Sequence, residues 1–118
     1  MPLSPRQRYA QRVLDLYRWT PATAGFARRT DRRLAATLYD RGIPLETVHT
    51  ALLLAAGRRA CRPSDALPLA PIATLYYFLP VIDELIATPL EHDYLQYLRH
   101  SLSTLAPTLV AAFDHQIP

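Results

Sequence analysis

The chain has 118 residues, half of them apolar, with thirteen basic and ten acidic side chains and a formal charge of +3. That length and composition fit one helical domain, residues 1–118, with a core large enough to fold without staples. A single cysteine, Cys61, excludes an internal disulfide and a multi-cysteine zinc site, and a reducing cytoplasm is the expected location.

The charge is unevenly distributed. Twelve arginines against Asp15, Asp31, Asp40 and Glu46 give residues 1–62 a formal charge of +8, whereas residues 63–118 set Arg99 against six acids, −5. A basic half of this kind points to a polyanion or an acidic protein, or to internal pairing of the two halves. Every basic residue is Arg and none is Lys. A GC-rich coding genome accounts for that, although Arg is also the better bidentate phosphate ligand. The N-terminal residues carry no apolar signal core, and the longest uncharged run, Ala66 to Ile82, is broken by Pro68, Pro71 and Pro80, so no membrane segment is expected.

In chain order, Ser4 before Pro5 predicts a capped helix over residues 5–18, with Tyr9, Val13, Leu16 and Tyr17 facing inward. Asp15 is placed to pair with Arg12 and Arg18, leaving Arg6 and Arg8 freer. Residues 19–29 read as a loop in which Trp19 and Phe26 are expected to anchor onto the core rather than stand exposed as stacking platforms. Thr30 predicts the cap of a second helix ending near Arg41. Gly42 then supplies a left-handed C-cap and Pro44 the first residue of a third helix. That third helix, ending near Cys61, is the most apolar stretch: Leu45, Val48, Leu52 and Ala55 recur helically, and Ala51, Leu53, Leu54 and Ala56 fill the other faces. It is the expected centre of the fold, with Cys61 a small apolar filler at its end.

Prolines make residues 63–71 an extended crossing. A helical unit follows with Ile72, Leu75, Tyr76, Leu79, Ile82 and Ile86 on one face, kinked or divided at Pro80. A strand over residues 73–79 has nothing to pair with. Thr88-Pro89-Leu90-Glu91 reads as a capping box opening a helix through about Leu105, with Leu90, Tyr94, Tyr97, Leu98, Leu102 and Leu105 as its apolar face. After Pro107, Leu109, Val110 and Phe113 predict a short terminal helix whose apolar side either meets a partner or docks back on the bundle. The fold class is therefore all-α: a compact bundle of about five helices around a central apolar helix.

No histidine pair stands at ligand spacing, no glycine-rich phosphate loop exists and no serine lies in a nucleophile elbow, so neither an enzyme nor a metal or cofactor site is expected. The segment from Asp31 to Ala56 has the spacing of a helix-turn-helix joint, but Glu46, Thr47, His49 and Thr50 offer no arginine to grip guanine. General phosphate contact is the better reading. Its candidate residues are Arg28, Arg29, Arg32 and Arg33 together with Arg58, Arg59 and Arg62, forming either one patch or separate solvated clusters.

The runs Asp31-Arg-Arg-Leu-Ala, Leu38-Tyr, Arg41-Gly-Ile-Pro-Leu-Glu, Ala51-Leu-Leu-Leu-Ala and Leu75-Tyr-Tyr-Phe-Leu-Pro-Val-Ile resemble small bacterial proteins of the mobile-element or replication kind. More loosely, residues 31 to 86 are similar to the helical DnaD-type replication module. The resemblance implies nucleic-acid association, with DNA foremost, in a replication or transposition setting. The alternative from a different class is a helical adaptor or self-associating module, with Leu109, Val110 and Phe113 as its contact residues.

Overall fold

The computed structural model describes residues 2–112. Ser4 caps α1 (Pro5–Trp19) through a reciprocal box: its hydroxyl accepts from the Gln7 N–H at 3.1 Å, and the Gln7 side-chain oxygen accepts from the Ser4 N–H at 2.8 Å. Val13, Leu14, Leu16 and Tyr17 form the buried stripe. α2 (Arg29–Asp40) starts ahead of the expected Thr30 cap, and Asp31 in its first turn does the capping instead. At its other end Gly42 has φ 73°. Its N–H reaches Tyr39 O at 2.9 Å and the Ile43 N–H reaches Leu38 O at 3.2 Å, the paired bonds of a Schellman turn. Ile43 is buried just beyond it, as an apolar residue in that place should be.

α3 (Leu45–Ala60) is the axis of the molecule, with every residue from Val48 to Gly57 buried. It packs against α1, against the 3₁₀ turn Leu75–Phe78, against α4 (Leu79–Ala87) and against α5 (His92–Ser101), while α1 also packs on α2 and on α6 (Pro107–Ala111). Among the described residues there are thus six α-helices and no strand, an all-α bundle around a central apolar helix. Gly57 explains one close approach: a Cβ there would stand 2.8 Å from Leu98 Cδ1 of α5.

Four local expectations change. The 3₁₀ turn advances three residues per turn, so the buried register runs Leu75, Phe78, Ile82 and Leu85, leaving Tyr76 and Ile86 exposed. Thr88 opens no helix; its N–H closes α4 on Glu84 O at 2.8 Å, and α5 begins at His92. Pro89 keeps Thr88 out of helical backbone and so ends α4 there, a conformation that an N-cap would share, but Leu90 packs against the core, so tertiary burial overrides the capping signal. α5 stops at Ser101, with only Leu98 buried within it and Leu102 just beyond, while Tyr94, Tyr97 and Leu105 are exposed. Cys61, expected inside, is exposed.

The C-terminal contact residues are likewise corrected. Leu109 is fully buried and Val110 is packed against the core, because α6 lies back on α1 and the Leu109 carbonyl meets His49 Nε2 at 2.6 Å. Leu109 therefore offers no free face to a partner, and Val110 is only partly exposed. Phe113 lies outside the described residues.

Candidate nucleic-acid interface

Six of the seven candidate arginines fall into two groups that line different grooves, and Arg28 lines neither. Arg29, Arg32 and Arg33 stand at helical spacings of three and four at the start of α2 and border a shallow groove with Arg6, Ala36 and Thr37. Arg58, Arg59 and Arg62, at the end of α3, border another with Ala55, Leu69, Tyr77 and Val81. No residue lines both. The chain from Ala70 to Tyr77 touches both groups, since Thr74 and Leu75 bond Asp31 while Ala70 and Tyr77 bond Arg59.

What holds the first group in place is Asp31. Its carboxylate is completely buried and accepts from the Arg28 N–H at 2.9 Å, the Thr74 hydroxyl at 2.8 Å and the Leu75 N–H at 2.9 Å. One side chain thereby caps the start of α2 that carries these arginines and joins it to the start of the 3₁₀ turn. Arg28, Arg29, Arg32 and Arg33 are all exposed and make no ion pair among the described residues. The Arg28 guanidinium lies 5.7 Å from the Phe26 ring centre. Phe26 itself is 52% exposed, and Trp19, 38% exposed, carries Arg12 at 5.4 Å, so these rings are not the core anchors their type suggests. Each is covered on one side by a guanidinium, which shields apolar surface without burying it.

The second group is largely committed within the chain. Arg58 forms a two-pronged bond with Glu84 at 2.8 and 2.7 Å, which raises its own pKa and holds the Glu84 carboxyl below the usual range. Arg59 donates to Ala70 O at 3.1 Å and to the Tyr77 hydroxyl at 3.3 Å, and Arg62 donates to Leu67 O at 2.7 Å. These contacts tie the proline-rich crossing to α3.

Arg6 departs from its sequence reading. It bridges α1 to α2 through two bonds of 2.9 Å to Asp40, which lower the Asp40 pKa, so it edges the first groove as a paired charge. No local pattern links residues 34 positions apart. Asp15 pairs with Arg18, as helical spacing predicts, but not with Arg12, which instead donates to Ala112 O at 3.4 Å, and Arg41 pairs with Asp83 at 3.2 Å. The Arg41–Asp83 and Arg58–Glu84 pairs cancel part of the opposite charge of the two halves internally.

The helix-turn-helix joint does not present a reading helix. His49 and Thr50 are buried, and the small cleft at the start of α3 is lined by Glu46, Thr47, Thr50, Leu85, Pro89, Leu90 and Leu95, with an acid and no base. A helix enclosed through ten successive residues cannot enter a DNA groove. Among the described residues no three His, Cys, Asp or Glu side chains converge as metal ligands, and no helix is long and apolar enough to cross a membrane. The chain matches no protein-family model, no curated protein and no solved structure.

Proposed function

We propose that this protein is a nucleic-acid-binding accessory protein that grips phosphates through the first two turns of α2, with DNA as the foremost partner and replication or a mobile element as its setting. The observation that carries this reading is the set of four exposed arginines, Arg28, Arg29, Arg32 and Arg33, with no carboxylate paired to any of them among the described residues. The N-terminal end of a helix adds partial positive charge to that cluster, part of which Asp31 offsets. The exposed Phe26 ring beside Arg28 supplies a surface on which an unpaired base can stack. Contact of this kind positions a backbone and carries little sequence information.

Fluorescence anisotropy with duplex and single-stranded probes across a salt series tests the reading. Affinity should fall steeply with salt, and replacing Arg29, Arg32 and Arg33 with Ala should reduce the logarithmic salt slope by roughly 2–3 through lost counterion release. Replacing Arg58, Arg59 and Arg62 should change it less. Absence of binding to either probe at low salt would sink the proposal.

A further inference from the structure

We propose that the groove at the end of α3 docks the exposed acidic, aromatic face of α5 from a second copy of this chain, reciprocally about a two-fold axis. The groove combines charge with uncovered apolar surface. Arg58 is neutralised by Glu84, but Arg59 and Arg62 bond only neutral oxygens, so two whole positive charges remain beside Leu69 and Tyr77, which are themselves exposed. Leu67, whose carbonyl holds Arg62, is 83% exposed. Uncovered Leu69 and Tyr77 side chains bordered by arginine have the composition of an interface core and rim.

The matching surface is present on the same molecule. Glu91 and Asp93, at the start of α5, are exposed and have no side-chain partner among the described residues. Tyr94 and Tyr97 follow one turn on, exposed and with ring centres 6.3 Å apart; Tyr97 is 66% exposed. α5 uses Leu98 to pack on Gly57 of α3, so its tyrosine side is left uncovered by its own chain. Two carboxylates and two phenol rings on this helix complement two guanidinium groups and an apolar floor in the groove.

The two surfaces adjoin, which permits a two-fold pairing. Leu98 of α5 reaches Gly57, the residue before Arg58, which itself borders the groove. Adjacent complementary patches allow a second copy, turned by a half rotation, to satisfy both contacts at once and close a dimer. The α2 arginines take no part, so dimerisation and phosphate binding are separable.

Sedimentation equilibrium over a range of concentrations at low and high salt tests this. A monomer–dimer equilibrium that weakens with salt is expected. The R59E/R62E double variant and the E91R/D93R double variant should each weaken self-association by about tenfold or more, through like-charge contacts, and an equimolar mixture of the two should restore the dimer. Because Arg59 and Arg62 also tie down the proline-rich crossing, circular dichroism checks the fold, and E91R/D93R and Tyr97→Ala, which leave the crossing untouched, decide the matter if R59E/R62E unfolds. A wild-type chain that stays monomeric at every concentration in low salt would overturn the proposal. So would a dimer indifferent to both double variants, or growth into open polymers instead of a closed pair.

Discussion

Asp31 is the side chain on which the most backbone depends. A buried carboxylate is costly unless its oxygens are fully used, and here three donors, two of them backbone N–H groups, converge on it. Replacing it with Ala leaves the buried Leu75 N–H without its acceptor, and with it the part-buried Arg28 N–H and Thr74 hydroxyl. Asp31→Ala should destabilise the protein by about 3 kcal/mol in denaturant unfolding, the range for breaking a buried, charge-assisted network. An unchanged midpoint would mean that the three donors find other partners. The same variant should also scatter the arginines at the start of α2, reducing any phosphate affinity beyond what loss of stability explains.

At the scale of elements, α3 organises the packing and α6 is its least obvious client. A five-residue helix has no stability of its own in water, so α6 persists only because Leu109 is buried and the Leu109 carbonyl meets His49 of the central helix. Leu109→Ala should therefore cost about 2–5 kcal/mol, the usual range for emptying a fully buried leucine site. Thermal unfolding measures it directly. A loss near zero would mean that the terminal helix is an ornament and not part of the core. The contact between α3 and α5 is narrower and depends on Gly57, whose missing side chain lets Leu98 approach. That narrow seam is also why so much of α5 is left facing outward.

For the molecule as a whole, the opposite charges of its halves are only partly cancelled, by Arg41–Asp83 and Arg58–Glu84, while Arg6–Asp40 and Arg18–Asp15 close within the basic half. Glu84 and Asp40 both titrate below their ordinary values, chiefly because an arginine hydrogen bond favours the charged carboxylate. Their contribution to stability is thus complete above the ordinary carboxylate values of 4.5 and 3.8 and is lost as pH falls through the depressed ones. Denaturant midpoints should decline on acidification through that window, and the Glu84→Gln/Asp40→Asn variant should show a flatter decline. An identical pH profile for variant and wild type would show that these exposed pairs do not contribute. At the alkaline end the sign reverses: burial raises the Tyr9 phenol from 10.0 to about 12, so stability should fall as pH rises between those values.

The sequence by itself determined the all-α class, the start of α1, the central helix and the joint between α2 and α3, because these rest on local physics. Ser4-Pro5 starts a helix, Arg41-Gly42-Ile43 ends one, and an unbroken apolar run from Ala51 to Ala56 must be enclosed wherever it lies. Charge alone pointed equally to the arginines of α2 and to Arg58, Arg59 and Arg62, without separating the two groups. Only the tertiary structure decided which charges are already taken, since Arg6 finds Asp40, Arg58 finds Glu84 and Asp31 finds Leu75 across separations of 26 to 44 residues that no periodicity encodes. It likewise decided that a capping box at Thr88 is not used and that Leu109 is covered. Burial is set by what packs alongside, and that competitor outweighs a local cap worth about 1 kcal/mol.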